Sequence, residues 1–199
     1  MTPPTTWRHT RSDRLRLDAP STADLDAFYA IHGDARTWTY LPSGRHTSRA
    51  ASAAKLDAMI AQWAADGLGY WAVRETTTGP VVGFAGCAVP PGRSWWNVYY
   101  RFAVSAQGHG YAAEVARRAI EAAHDVEPDR PVLAYLLETN TASRRTTERL
   151  GLQQVWRGPD RDNPDPAAVR IVYADRDPDD ELRRSIAEFC EGSPLRDGS

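Results

Sequence analysis

The stretch Gln107-Gly108-His109-Gly110-Tyr111-Ala112 restricts this chain more than any other. It stands between an apolar, strand-like run, Trp96 to Val104, and a helix-like run that reaches about His124. Two glycines at such a junction leave backbone N–H groups uncovered where a helix begins. Bare amides at the positive end of a helix dipole suit a phosphate, so the first expectation is a site for a pyrophosphate-bearing cofactor. Taken alone, Gly108-x-Gly110-x-x-Ala113 also fits the dinucleotide fingerprint, with Glu138 roughly where a ribose-binding acid is sought. Context argues against that rival. The preceding strand is long, Ser105-Ala106-Gln107 intervenes, an antiparallel hairpin comes before it, and only one strand–helix–strand unit follows. No Gly-Lys-Ser/Thr is present, which excludes a P-loop.

The flanking segments have readable periodicity. Ala112, Ala116, Ala119, Ile120 and Ala123 form one apolar stripe, while Glu114, Arg117, Arg118 and Glu121 lie opposite and can pair along the helix. Upstream, Met1 to Ser12 reads as a loose, proline-containing arm (residues 1–12), and Arg14 to Leu17 as a first strand. Ser21 with Asp24 signals a helix start, and the helix places Leu25, Phe28, Tyr29 and His32 at helical spacing, with His32 as a terminal, solvated residue. Thr37 to Gly44 reads as a loop. Ser48 to Ala65 reads as a second helix with Ala51, Ala54, Leu56, Met59, Ile60 and Trp63 inward. Tyr70–Arg74, a turn at Thr76 to Pro80, and Val81–Val89 read as a hairpin, followed by a strand from Trp95 to Val104. In that strand Trp96, Val98, Tyr100, Phe102 and Val104 share one face, and Trp95, Asn97, Tyr99, Arg101 and Ala103 the other. Beyond the glycine turn come a strand (Pro131–Leu137), a short helix (Thr141–Leu150), a strand (Leu152–Trp156), a polar loop (Asp160–Pro166) and a strand (Val169–Tyr173). The tail, 176–199, carries a helix whose stripe of Leu182, Ile186, Phe189 and Cys190 either docks on its own domain or meets a second copy, which leaves a homodimer open.

Composition narrows the function classes. The 199 residues include 42% hydrophobic side chains and seven tryptophans, enough for a core. A net charge of −2 offers no basic field for nucleic acid or an anionic membrane, and Val81 to Val89, the longest apolar run, is too short to cross a bilayer. Met1 to Arg14 has no apolar signal-peptide region, and Cys87 and Cys190 form no CxxC pair, so a reduced cytoplasm is the expected setting. His46, His109 and His124 have no metal-site spacing, and no metal is assigned.

About thirty residues past the glycines stands Asn140-Thr141-Ala142-Ser143-Arg144-Arg145, and the helix there closes with Glu148-Arg149-Leu150-Gly151-Leu152. With Gln107-x-x-Gly110-x-Ala112 and Glu114 ahead of them, these pieces resemble the GNAT superfamily of N-acetyltransferases, most closely its ribosomal-protein N-acetyltransferase-like (RimJ/RimL-type) branch. The opening Asp13-Arg14-Leu15-Arg16-Leu17 extends the likeness over roughly residues 13 to 174. The resemblance implies one α/β (α+β) domain, 13–175. Its central, mostly antiparallel sheet would have about seven strands, the fourth and fifth splayed apart, with helices on both faces.

The same resemblance implies acetyl-CoA as donor and a primary amine as acceptor, either a protein N-terminus or a small molecule. Gln107, Gly108, His109, Gly110, Tyr111 and Ala112 would hold the pyrophosphate through their amides. Phe102, Ala103 and Val104 would pair with the pantetheine arm, and Asn140 would hydrogen-bond it or its surroundings. Asn140 and Ser143 are also good helix-capping types, and for Asn140 the two roles are compatible. No tyrosine lies in Thr141 to Leu150 to protonate the departing thiolate; Ser143 takes that place, as proton donor or as a positioning group. Asn97 stands where relatives often carry an acid, and Glu138 is the nearest carboxylate in sequence for a base, unless it points to solvent. The loop bearing Trp38 and Tyr40, with Asn97 and Tyr99, would line the acceptor end, against the commoner fate of such rings in a core. A non-catalytic acyl-CoA-binding module is the reading from a different class.

Overall fold

The computed structural model describes residues 7–75, 79–161 and 163–190. Thr76 to Thr78 of the expected hairpin turn, the start of the expected arm and the end of the tail lie outside them. The chain divides into two compact units after Arg130.

In the first unit, β1 (His9–Arg11), β2 (Arg16–Asp18), β3 (Tyr70–Arg74), β4 (Val81–Ala88) and β5 (Trp96–Phe102) pair in that order, every neighbour antiparallel. Strand β1 departs from the expected loose arm. Polar residues hide it in the sequence, and it is held by long-range anchors: Trp7 is buried, its Nε1 donates to Asp125, and its carbonyl accepts Trp71 Nε1. With β1, the described residues hold eight strands, against about seven expected.

Register sorts the faces. Ala72 opposes Phe84 and Phe84 opposes Arg101, while Gly86 opposes Tyr99, so the even residues of β4 share a face with the odd residues of β5. On this face α1 (Leu25–His32) and α2 (Arg49–Ala65) bury Phe28, Ile31, Leu56 and Met59 against Tyr70, Ala72, Phe84 and Ala88, and Tyr99 packs beside them. In α2 the inward line is Ser52, Leu56, Met59 and Trp63; Ser52 replaces the expected Ala51 and Ala54 because its hydroxyl meets His46 Nδ1 at 2.8 Å. The opposite face takes α3 (Tyr111–Val126), whose Val115, Ala116, Ala119, Ala122 and Ala123 are buried against β4 and β5. Small side chains let that helix approach the sheet closely.

The second unit has β6 (Val132–Leu137), α4 (Thr141–Arg149), β7 (Gln153–Pro159), β8 (Val169–Ala174) and α5 (Asp180–Cys190). Strand β8 lies between β6 and β7, both pairings antiparallel, with an irregularity between Gln154 and Trp156. Helix α5 packs on this unit: Leu182, Ile186 and Cys190 are buried, and Phe189 meets Tyr135 at 4.7 Å. Asp179 caps it by accepting the Leu182 amide at 2.8 Å. The α+β architecture with antiparallel strands is therefore the expected one. No helix among the described residues is long and apolar enough to cross a membrane.

Phe28 is fully buried between α1, β4 and the His32 ring. Phe28→Ala should lower unfolding free energy by about 3–5 kcal/mol, read from urea titration midpoints with an unchanged slope.

Candidate active site

The glycine turn is built where β5 ends. Val104–Ala106 coil into one 3-10 turn, and Gly108 and Gly110 follow at φ +81° and +79°. Both values lie in the left-handed region, which costs other L-residues about 1–2 kcal/mol, and this is why glycine is needed twice. Gly110 is the N-cap of α3 and provides no side-chain cap, so the amides of the first turn have no intrahelical partner. A Cβ at Gly108 would meet nothing within 4 Å, so the turn opens outward.

Long-range contacts fix this turn. Glu114, in the first turn of α3, accepts from the Ser12 hydroxyl at 2.6 Å, the Arg14 amide at 2.9 Å and the Arg14 Nε at 2.7 Å. Arg14 Nη1 also donates to the His109 carbonyl at 3.0 Å, and the guanidinium lies over the Tyr111 ring. Burial pushes the Glu114 carboxyl up, but the Ser12 and Arg14 donors together outweigh it and hold it below its ordinary range. The expected pairing of Glu114 along its own helix gives way to this link across the sequence; Arg118 and Glu121 do pair within the helix, at 2.6 Å.

The end of β5 is partly engaged. Ala103 donates its amide to Val82 at 2.9 Å, Phe102 receives Gln107 Nε2 on its carbonyl at 3.2 Å, and Val104 is exposed and belongs to the 3-10 turn rather than the strand. His109 stacks on Tyr111 with ring centroids 5.4 Å apart.

Trp38 and Tyr99, expected at the acceptor end, are joined by His32 and Arg101. His32 is buried, contrary to the solvated position expected for it. Its ring stacks on Phe28 at 3.9 Å, and its Nδ1 faces the Phe28 carbonyl at 2.9 Å. A carbonyl only accepts, so Nδ1 carries the proton and Nε2 is the acceptor for the Tyr99 hydroxyl, 2.9 Å away. Tyr99 Oη in turn accepts from Arg101 Nε at 2.9 Å. The chain of donors thus runs Arg101, Tyr99, His32, Phe28 carbonyl. Burial drives the His32 pKa down to about 3, against the favourable carbonyl bond and with a smaller push from Arg101. A histidine held neutral in this way orients Tyr99 and takes no proton at neutral pH.

Trp38 is locked by its Nε1, which donates to the His32 carbonyl at 2.6 Å, and a Cβ at Gly44 would run into its ring. The Arg101 guanidinium carbon lies 3.3 Å from the Trp38 ring centroid, and Arg101 Nη1 donates to the Thr37 carbonyl. Asn97 is buried; its Nδ2 donates to Tyr70 Oη at 3.0 Å and its Oδ1 has no partner among the described residues. Tyr40 is 42% exposed and makes no hydrogen bond or ring contact among the described residues. The structure therefore brings Trp38 and Tyr99 into one constellation and leaves Tyr40 outside it.

In the second unit Asn140 is the N-cap of α4, accepting the Ser143 amide on Oδ1 at 3.0 Å. Its Nδ2 has no acceptor among the described residues, so capping leaves a donor spare. Ser143 sits in the first turn, half-buried. Glu138 forms a two-pronged pair with Arg157, at 2.8 and 2.9 Å, which holds its carboxyl below the ordinary range.

Sequence periodicity overlooked His32 and Arg101. His32 does share the helical face of Phe28 and Leu25, and that position on a buried face was the available signal. Neutral burial of His32 carries a stability consequence. The unfolded state binds a proton near pH 6.5 that the native state refuses down to about 3, so stability is full above 6.5 and falls as pH drops through that window. The loss between pH 6.5 and pH 5 should be on the order of 2 kcal/mol. In His32→Gln, denaturant titrations across the same pH range should show a flatter decline; an unchanged decline would contradict neutral burial.

Residues 14–153 match the family model of the acetyltransferase (GNAT) domain, well over half the chain. Solved structures share the fold. A GNAT-family acetyltransferase from Bordetella pertussis superposes with TM-score 0.69 at 22% identity, covering 83% of this chain and 98% of that one. RimL, a ribosomal L7/L12 alpha-N-protein acetyltransferase in complex with coenzyme A, gives 0.67 at 17% identity, with 83% and 96% covered. The Microcin C7 self-immunity acetyltransferase MccE in complex with acetyl-CoA and AMP gives 0.66 at 11% identity, with 81% and 92% covered. The chain belongs to the GNAT family of acetyltransferases.

Proposed function

We propose that this chain is an N-acetyltransferase of the RimJ/RimL type that moves an acetyl group from acetyl-CoA to a primary amine by direct attack in a ternary complex. The observation that carries the reading is the turn itself: two left-handed glycines, an N-cap without a capping side chain, and the uncovered amides of a 16-residue helix behind it. This is a cradle that fits a pyrophosphate, since an anion there meets both amide donors and the positive helix end. The spare Nδ2 of Asn140 is proposed as a donor for the pantetheine, and the backbone from Phe102 to Val104 is proposed to pair with that arm.

Acetyl-CoA supplies an activated thioester carbonyl. The amine nitrogen forms the new bond to that carbon, the carbon–sulfur bond breaks, and the proton lost by nitrogen is balanced by one taken up on sulfur. Ser143 is proposed to deliver that proton. Glu138 is the carboxylate proposed as base, yet its pair with Arg157 lowers its basicity, and Asn97 offers no proton site at neutral pH. The amine is therefore expected to enter already neutral. Under this reading the acceptor's own ionisation governs kcat/KM, which should rise with pH toward the amine's pKa with no inflection from Glu138 above pH 4.5.

The binding-module reading draws on the same Asn97. Free-thiol release over a panel of amines separates the two, with thermal stabilisation by acetyl-CoA measured alongside. Stabilisation with no thiol released by any amine would favour the binding module, and no stabilisation would sink both. Ser143→Ala should lower kcat about 100-fold while acetyl-CoA affinity stays within about twofold; weakened binding with unchanged turnover would assign Ser143 to positioning.

A further inference from the structure

Among the described residues, Arg101 is a cation without an anion. Guanidinium carries five N–H donors, and here Nε serves the Tyr99 hydroxyl while one hydrogen of Nη1 serves the Thr37 carbonyl. The other three have no acceptor among the described residues, and no carboxylate pairs with this side chain there. Several arginines of the same unit do have an acid: Arg14 pairs with Glu114, Arg74 with Asp18 and Asp24, and Arg118 with Glu121. Trp38 lies against the Arg101 guanidinium, which stabilises the cation but does not neutralise it.

The arginine is also held in place before anything binds. Trp38 is fixed by the His32 carbonyl and seated over Gly44, and Tyr99 is fixed by His32 Nε2, so both partners of Arg101 are themselves locked. The charges that act on the neighbouring His32 and His46 rings are positive ones. His32 is neutral, burial keeps His46 toward its neutral form, and the other charge acting on both rings is Lys55. Partly exposed, planar and oriented, with three free donors, the group has the geometry of a fork for a carboxylate or phosphate.

We infer that Arg101 is a specificity-determining residue that binds an anionic group, carboxylate or phosphate, carried by the acceptor amine. This rests on the acetyltransferase reading for the word acceptor; the anion site itself does not. Preference for a charged acceptor follows, because a neutral amine leaves the three donors unmatched and forfeits charge-assisted hydrogen bonds.

The test is isothermal titration of the full chain, with and without saturating CoA, using matched pairs: 4-aminobutyrate against butylamine, and phosphoethanolamine against ethanolamine. The anionic member of at least one pair should bind about tenfold or more tightly, and which pair shows it separates carboxylate from phosphate. In Arg101→Gln the ratio should fall to near one while CoA affinity is unchanged. Arg101→Lys, which keeps the charge but loses the fork, should retain part of it, and this guards against a Gln variant that misfolds. A ratio near one in the wild type, or a ratio that survives in Arg101→Gln, overturns the inference. Because no turnover is needed, a protein that binds the anionic probes but neither binds acetyl-CoA nor releases thiol would refute the acetyltransferase proposal and leave the anion site standing.

Discussion

The Glu114 carboxylate is the tie on which the first unit's geometry depends. It accepts from Ser12 and from both the backbone and the side chain of Arg14, and Arg14 passes the restraint on to the His109 carbonyl inside the glycine turn. The start of α3 is thereby fastened to the β1–β2 connection, about a hundred residues away in the chain. A second set of anchors, Trp7 to Asp125 and Arg118 to Thr10, fastens the rest of the same helix to the same segment. Left-handed glycines make a turn permissible, but they also make it flexible. The carboxylate restores the rigidity that glycine gives away, so its charge matters to position as well as to stability. Since Arg14 is half-exposed, the pair's direct energetic contribution is modest, about 1 kcal/mol; its geometric consequence is larger.

A comparable logic holds on the other face of the sheet, with polar groups in series rather than around one acid. Each member has a single way to satisfy its neighbour. The Phe28 carbonyl fixes the His32 tautomer, the tautomer fixes the direction of the Tyr99 hydroxyl, and that direction leaves Tyr99 as an acceptor for Arg101. A chain of this kind is worth more as a specification of orientation than as a sum of hydrogen bonds. It also explains how an arginine can stand partly buried with no acid beside it: its stem and two donors are held, and the Trp38 ring supports its face.

Much of this was legible in the sequence, for identifiable reasons. The glycine turn announced itself because only glycine tolerates two left-handed positions so close together, and α3 because its alanines recur at helical spacing. Helix α2 and strands β3 to β5 followed from periodicity within a residue or two at each end. What stayed hidden depends on partners far apart in the chain. Strand β1 has no apolar alternation and exists through Trp7 and its pairing with β2. His32 reads as a helix-end histidine until Phe28, Tyr99 and its own tautomer are placed around it. Glu114 looked like a member of an i, i+4 pair, and only the fold brings Arg14 to it. The strand bearing Asn97 was clear, and so was the absence of an acid there, but not that the amide would be buried with an oxygen that has no partner among the described residues.

Under the proposed function, the weak basicity of Glu138 and an arginine with no acid among the described residues bear on each other. An amine acetylates only when neutral, and a nearby cation disfavours the ammonium form. His32 takes no proton at neutral pH, and a positive environment is one means of enriching the free amine. Under the proposed function, Arg101 would serve both ends of one acceptor. It would attract the acceptor through its anion, and because that anion also neutralises the arginine, the residual field on the amine would depend on how closely the two are paired. A tightly paired anion would leave the amine near its solution pKa, whereas a neutral acceptor would feel the full cation but lose the attraction. The two effects pull the optimum apart. Above the pKa of the bound amine, a site built in this way should discriminate among amines through affinity, in KM, and leave the acetyl-transfer step itself much the same.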